Sequence, residues 1–268
     1  IDESMKILDV LDKCGIDAFD IDSGCYETMD YIFPTRYTGE ACMAYVCEEA
    51  RKHLTKPIIN TGNHSMESAV TLLKSGNADI VQFGRQSIAD PQFANKLREG
   101  RREDVRPCIV CNEECIGRIF GRLTQLSCTV NPATGLESYM EVKPVTKPEN
   151  VVVIGAGPGG LEAARCAAER GCSVTVYEKA DHIGGTFLTI STGSFKWRMP
   201  QLIEWYGVQL KKLGVKVVLN TEIHVDDPAL AGADKIFVAT GSKAIMPSIP
   251  GIEKVIDVEE IHRNGMPE

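Results

Sequence analysis

The stretch "NVVVIGAGPGGLEAARCAAERGCSVTVYE", residues 150–178, runs in the order apolar strand, glycine turn, alanine-rich helix, apolar strand. Short runs of β-branched residues bounded by glycine are typical of buried strands, and the helical pattern between them supplies a crossover connection. The stretch therefore predicts a βαβ unit whose two strands are parallel.

The glycine turn has the spacing G-x-G-x-x-G at Gly155, Gly157 and Gly160, and Glu178 ends the second strand. Gly155 permits the tight turn, Gly157 lets the backbone approach a pyrophosphate, and Gly160 allows close packing of helix on strand. The helix N-terminus favours phosphate, and a carboxylate about 20 residues further on accepts hydrogen bonds from a ribose. This context predicts a dinucleotide site, and the alternative is a glycine-rich turn that binds nothing.

Two further segments resemble the flavoproteins that bind two dinucleotides. "EKADHIGGTF" at 178–187 resembles their glycine pair, and "KIFVATGSKAIMPSIPG" at 235–251 resembles their second flavin-contacting strand. The resemblance implies FAD at the glycine turn, with Gly185, Thr240 and Gly241 as further contacts. It also implies that NAD(P)H, as electron donor, uses a second inserted domain, whose fingerprint does not occur in this sequence.

The first 105 residues alternate strand-like and helix-like segments, which predicts parallel strands with crossover helices. The last predicted helix of this part is "DPQFANKLREG", residues 90–100, with Asp90 as N-cap and Pro91 in the first helical position. About three βα units fit into this length, whereas a complete (β/α)₈ barrel takes about 250 residues. We therefore expect the C-terminal part of a barrel, and a chain that is a segment of a longer polypeptide.

The predicted strands "PIINTGNH" (57–64) and "DIVQFGR" (79–85) end in Gly62, Asn63, Gly84 and Arg85. The last two βα loops of such barrels often bind a phosphate, through glycine N–H groups and arginine. The pattern resembles the final strands of the NADH:flavin oxidoreductase (Old Yellow Enzyme-like) barrel. That resemblance implies that these four residues hold the phosphate of FMN; the alternative is ordinary glycine turns.

A candidate catalytic residue, Tyr26, lies in "GCYE" at 24–27. Dienoyl-CoA reductases of the same family carry histidine at this place, and the tyrosine form resembles 2-enoate reductases. A tyrosine hydroxyl can donate a hydrogen bond to a substrate carbonyl or a proton to a carbanion. The alternative is a packed loop tyrosine.

Four cysteines lie in "CIVCNEECIGRIFGRLTQLSC", residues 108–128, with the spacing C-x₂-C-x₃-C-x₁₂-C. Structural zinc sites use two separated C-x-x-C pairs, so three close cysteines and a distant fourth favour a [4Fe–4S] cluster over zinc. The dienoyl-CoA and 2-enoate reductases carry a near-identical run after the barrel, followed by an element that reads "CTVNP" here. The interval before Cys128 is one residue longer than that family's common spacing. The predicted metal ligands are Cys108, Cys111, Cys115 and Cys128.

The composition narrows the function classes. A net charge of −8 disfavours nucleic acid and anionic membrane as partners, and no apolar run approaches the length of a membrane helix. No signal peptide is visible at the N-terminus, so we expect a cytoplasmic protein with reduced cysteines. The sequence leaves open whether the protein forms a homo-oligomer.

Three modules are therefore predicted: a partial FMN barrel at 1–105, a cluster segment and linker at 106–148, and an FAD-binding Rossmann-like domain at 149–268. The resemblance implies an NAD(P)H-dependent enzyme that reduces an activated C=C bond of an enoate or enoyl thioester. Electrons would pass from FAD through the cluster to FMN. Two alternatives stay open, an amine dehydrogenase of the trimethylamine dehydrogenase type and a non-catalytic FAD/iron–sulfur electron-transfer subunit.

Overall fold

The computed structural model describes residues 1–265 of the chain. The chain forms two compact units. The first comprises residues 1–93 together with 108–136, and the second comprises residues 94–107 together with the chain from Glu137 onward. The three cofactor modules predicted from the sequence are a different division of the chain, and their boundaries stay a prediction.

The first unit contains a parallel sheet with the strand order β1-β2-β3, in which each helical crossover returns to the next position. Phe19 pairs with Ile58, and Ile59 pairs with Ile80. The strands are β1 (Phe19–Ile21), β2 (Ile58–Asn60) and β3 (Ile80–Val81), and the helices are α1 (Asp2–Leu11), α2 (Met29–Ile32), α3 (Ala44–Ala50), α4 (Met66–Ser75), α5 (Gly84–Ala89) and α6 (Phe93–Arg98), which runs on into the second unit.

The core of this unit lies between the sheet and the helices. Apolar residues at helical spacing on α1 and α3 face the alternate residues of β1, because a strand presents every second side chain to one face. The buried residues are Met5, Phe19, Ile21, Val46, Cys47, Ala50, Leu54, Ile58, Leu72 and Ala78.

The expected start of α6 is wrong. The helix begins at Phe93, and Asp90 and Pro91 lie in the preceding turn. The Asp90 carboxylate accepts a hydrogen bond from the Gln92 N–H at 3.0 Å, which stabilises the turn, and the helix starts two residues later than expected.

The cysteine segment contains a π-helix over Glu113–Gly121. The N–H of Gly117 donates to the carbonyl of Asn112, and that of Arg122 donates to Gly117, five residues back in each case. Asn112 begins this helix with a left-handed φ of 58°.

The second unit contains a four-stranded parallel sheet with the order β6-β5-β4-β7. Val153 pairs with Val176 on one side and with Phe237 on the other. The strands are β4 (Asn150–Ile154), β5 (Ser173–Tyr177), β6 (Lys216–Val218) and β7 (Lys235–Val238), and the helices are α7 (Pro158–Glu169), α8 (Gly185–Thr189), α9 (Arg198–Lys212) and α10 (Val258–Asn264).

This strand order reverses direction between β4 and β7, since the chain builds outward through β5 and β6 and then returns to the other side of β4. In open parallel sheets, ligands bind at the carboxyl ends of the strands beside such a reversal. The core here comprises Val151, Val152, Val153, Leu161, Ala164, Val174, Val176, Leu202, Ile203 and Leu210. No helix in the described part of the chain is both long enough and apolar enough to cross a membrane.

Candidate cofactor sites

The glycine turn between β4 and α7 is tightly packed on two sides and open on the third. A Cβ atom at Gly160 would overlap the carbonyl oxygen of Gly155, and one at Gly155, whose φ is +101°, would overlap the carbonyl oxygen of Ala239. A Cβ at Gly157, the N-cap of α7, would meet nothing within 4 Å. Gly155 and Gly160 therefore bring strands and helix together, whereas Gly157 leaves open space where the helix N-terminus can receive a phosphate.

Glu178 lies directly against this turn. Its carboxylate is buried, with one oxygen accepting the Ala156 N–H at 2.7 Å and the other accepting the Ala180 N–H at 2.9 Å. The carboxylate therefore fixes the conformation of the turn as well as the end of β5. Hydrogen bonds from two backbone amides also satisfy a buried negative charge that would otherwise be costly.

The glycine pair and the end of β7 converge on the same place. The Gly184 N–H donates to the Ala156 carbonyl at 2.8 Å, and an added Cβ at Gly185 would lie 3.3 Å from the Cα of Gly157. The Cα of Thr240 would lie 3.3 Å from a Cβ at Gly155, and Gly241 follows with a φ of +75°. The structure thus brings the predicted FAD contacts of this unit together at the reversal between β4 and β7, and their packing fits a dinucleotide.

The carboxyl ends of β2 and β3 carry the predicted phosphate residues of the first unit. Gly62 has a φ of +116°, and a Cβ there would lie 2.6 Å from the terminal methyl carbon of the Met43 side chain. Asn63, with a φ of 58°, donates from Nδ2 to the Gly39 carbonyl at 2.5 Å. Gly84 and Arg85 open helix α5, and a Cβ at Gly84 would meet nothing within 4 Å.

A polar atom near these loops has no protein partner. The Ser23 hydroxyl oxygen is buried, and among the described residues nothing hydrogen-bonds to it. Ser23 follows β1, so it lies at the same end of the parallel sheet as the loops after β2 and β3. A buried hydroxyl without a partner fits a ligand that would complete its hydrogen bonding.

The structure also holds a polar pair that the sequence reasoning missed. Asn60 is fully buried; its Nδ2 donates to the Ile21 carbonyl at 2.7 Å, and its Oδ1 lies 2.9 Å from Nε2 of His64. This pair ties the end of β1 to the loop after β2, where Gly62 and Asn63 lie. The signal was an asparagine inside an otherwise apolar strand, since a buried amide needs partners on both of its ends.

Tyr26 begins a short 3₁₀ turn, Tyr26–Thr28, in the loop after β1. Its side chain is 87% exposed. The hydroxyl is therefore accessible to a ligand, and packing within the loop does not explain the residue.

The four cysteines of the segment 108–128 belong to a single unit, and none of them forms a disulfide within the described residues. Burial raises the pKa of Cys115 and of Cys128, and the neighbouring Cys111 raises both further. Cys111 donates to the Thr129 hydroxyl at 3.3 Å, and the Cys108 N–H donates to the Gln86 side chain at 3.0 Å. The Cys111 thiol thus lies close enough to Cys115 and Cys128 to raise the pKa of both.

The described thiols lie near one another, but they are not arranged around a common point as metal ligands would be. Within residues 1–265, no three His, Cys, Asp or Glu side chains are grouped as they would be around a metal ion. The donor chemistry nevertheless fits iron and sulfide, since all four side chains are cysteine and thiolate sulfur is the ligand of iron–sulfur clusters.

The two units match two different protein families. Residues 1–104 match the NADH:flavin oxidoreductase / NADH oxidase family, and residues 149–266 match the pyridine nucleotide-disulphide oxidoreductase family. The first segment therefore belongs to the NADH:flavin oxidoreductase family, and the second belongs to the pyridine nucleotide-disulphide oxidoreductase family. The predicted fold class, a C-terminal barrel segment followed by a Rossmann-like domain, is confirmed, and both matched families bind flavin and NADH.

Three similar proteins illustrate the range of that family. Cinnamate reductase of Clostridium sporogenes is 34% identical over 97% of this chain and 39% of its own length. A 2-naphthoyl-CoA reductase in complex with 2-naphthoyl-CoA has a TM-score of 0.92 and 32% identity over 99% of this chain and 41% of its own. The 6-hydroxypseudooxynicotine amine oxidase of Pseudomonas geniculata has a TM-score of 0.88 and 26% identity, over 99% and 42%. The chain spans about two fifths of the length of the curated relatives that it matches.

Proposed function

We propose that this chain contributes the barrel end, the cluster segment and the FAD domain of an NAD(P)H-dependent oxidoreductase that reduces an activated C=C bond. When bound, the flavins supply hydride transfer and a [4Fe–4S] cluster supplies one-electron transfer, in the order FAD, cluster, FMN. The substrate is an enoate or an enoyl thioester. The cinnamate and 2-naphthoyl-CoA reductases support this substrate class.

The observation that carries the proposal is the set of four cysteines that directly follows the barrel end. A flavin barrel alone needs no such set, and four cysteines close together in one segment are suited to iron. Cys108, Cys111, Cys115 and Cys128 hold the cluster, each replacing its proton by an Fe–S bond.

The remaining residues bind and orient the cofactors and the substrate. The N–H groups at Gly157 and the carboxylate of Glu178 receive the pyrophosphate and ribose of FAD, with Thr240 and Gly241 beside them. Gly62, Asn63, Gly84 and Arg85 receive the phosphate of FMN. The exposed hydroxyl of Tyr26 either donates a hydrogen bond to the substrate carbonyl or gives the proton to the α-carbon when hydride adds to the β-carbon.

The experiment is a cofactor count on the full-length protein purified without oxygen. We expect FMN, FAD, iron and acid-labile sulfide, with about four irons per chain. NADH should then bleach the flavins, and cinnamate-like enoates should reoxidise them. Zinc without sulfide would exclude the cluster, and FAD without FMN would indicate the electron-transfer subunit.

An amine substrate is the second candidate, because an amine oxidase shares the fold over nearly the whole chain. The same preparation separates the two functions. If NADH leaves the flavins oxidised and an amine bleaches them, the amine function is correct.

Replacement of Tyr26 tests the catalytic assignment. Tyr26→Phe should lower kcat by roughly 10² with little change in KM, because it removes a proton donor and keeps the ring. Tyr37→Phe is the matched control, since Tyr37 is also an exposed loop tyrosine of this unit. Equal activity of both variants would remove Tyr26 from the mechanism.

A further inference from the structure

Helix α5 contacts the cysteine segment at three points, all within the first unit. Near the first thiol, the Gln86 side chain accepts the Cys108 N–H at 3.0 Å. After the last thiol, the Ile88 carbonyl accepts from Asn131 Nδ2 at 3.0 Å and from the Thr134 hydroxyl at 3.2 Å.

The third contact lies between the second and third thiols and is made by Asn112. Its Oδ1 accepts a hydrogen bond from Nη1 of Arg85, which also donates to the Pro34 carbonyl at 2.6 Å. Its Nδ2 donates to the Phe33 carbonyl at 3.0 Å. Both ends of the amide are therefore used, and each contacts a different part of the barrel end.

The backbone conformation at Asn112 shows what this contact does. Asn112 has a left-handed φ of 58°, which reverses the chain between Cys111 and the π-helix that carries Cys115. Asparagine tolerates this conformation better than most residues, but glycine adopts it without strain. The side chain is thus not required by the backbone conformation. Its two hydrogen bonds hold the turn against Arg85 of α5 and against the Phe33 carbonyl.

We propose that Asn112 is a positioning residue for the thiol site: it fixes the turn between Cys111 and Cys115 against the arginine that begins α5. The inference rests on the proposed function, since it assumes that the thiols bind an iron–sulfur cluster. A turn held at both ends keeps the thiols near their binding positions, so that bound iron is released slowly. Arg85 then connects the residues proposed for the FMN phosphate with the cluster segment.

The test is Asn112→Gly in the full-length protein, with the release of iron to a ferrous chelator as the readout. We expect release to be about tenfold faster than in wild type, because two hydrogen bonds that hold the turn are gone. The electron paramagnetic resonance spectrum of the reduced cluster should broaden, and the FAD content should stay unchanged. Asn220→Gly is the matched control, because Asn220 is an exposed asparagine of the second unit with a φ of 53°.

A second variant keeps the test decisive if the first does not fold. Asn112→Asp retains the acceptor for Arg85 and loses the donor to Phe33. Its rate of iron release should therefore lie between those of wild type and Asn112→Gly. Wild-type release rates and spectra in both variants would overturn the inference. A wild-type protein without acid-labile sulfide would instead overturn the proposed function itself.

Discussion

At the scale of single residues, two adjacent glycines of the turn differ in whether they can tolerate a side chain. Gly160→Ala places a methyl group on the Gly155 carbonyl, and we expect a loss of about 2–3 kcal/mol in unfolding free energy together with loss of FAD. Gly159→Ala meets nothing within 4 Å, so it should stay within about 1 kcal/mol of wild type, on the stabilising side. Urea unfolding of both variants measures the difference, and similar losses at the two positions would contradict it.

The Asp104 carboxylate provides a pH prediction. Burial alone would raise its pKa, but hydrogen bonds from Lys212 at 2.6 Å, Gln209 at 3.1 Å and Arg101 at 3.2 Å lower the pKa to about 2. A depressed pKa stabilises the fold above the unfolded value near 4, and this stabilisation disappears as the pH falls from about 4 to 2.

The variant Asp104→Asn should therefore lose about 1 kcal/mol of stability at neutral pH and show a flatter dependence between pH 4 and 2. Thermal melts of the second unit across that range measure the effect. If the stabilities of variant and wild type changed with pH in parallel, the charge of the Asp104 carboxylate would not contribute to stability.

Some residue contacts of this protein could be predicted from the sequence and others could not. The roles of Gly155 and Gly160 were predictable, because they depend on backbone geometry that any βαβ turn shares. The partners of Glu178 and the Asn60–His64 pair were not, because side-chain contacts between distant segments depend on the packed fold. The contact of Arg85 with Asn112 belongs to the same class.

At the scale of elements, most helices and strands begin and end near the predicted signals. Helix α4 ends at Ser75, and Gly76 caps it with a left-handed φ of 76°, a conformation that favours glycine. The start of α6 was misjudged, because the turn before the helix uses the same Asp-Pro signal as a helix N-terminus. The π-helix left no signal in the hydrophobic pattern.

The π-helix offers a physical account of the long interval before Cys128. A π-turn takes up one residue more than an α-turn, so an inserted residue can be absorbed without displacing the residues at either end. Deletion of Gly121, whose added Cβ would meet nothing within 4 Å, should convert the segment to an α-helix and preserve iron content. Circular dichroism and iron analysis test this, and deletion of Cys115 is the control that should abolish iron binding. Loss of iron after the glycine deletion would mean that the extra residue is needed.

At the scale of the whole molecule, two separate cores predict two separate unfolding steps. Ile58 lies in the core of the first unit and Leu210 in the core of the second, both almost fully buried. Ile58→Ala and Leu210→Ala should each cost about 2–5 kcal/mol, but in different transitions of a calorimetric scan. A single transition that both variants shift equally would show that the units unfold together.

The division into these units was only partly accessible to prediction. The change from barrel rhythm to cysteines and then to the glycine turn is visible in the sequence, because each module has its own composition. That residues 94–107 join the second unit depends on contacts such as the Trp205 indole N–H donating to the Asp104 carbonyl at 3.0 Å. A contact across a hundred residues of chain leaves no local pattern.

Strand β7 has a practical consequence for anyone who handles this polypeptide. Among the described residues it pairs with β4 alone, and its "KIFV" side chains are exposed, Val238 by 73%. An apolar strand with unpaired backbone groups on one side is a template for sheet extension by another molecule. Concentrated solutions should therefore become turbid with time, and a charged residue in place of Phe237 should keep them clear.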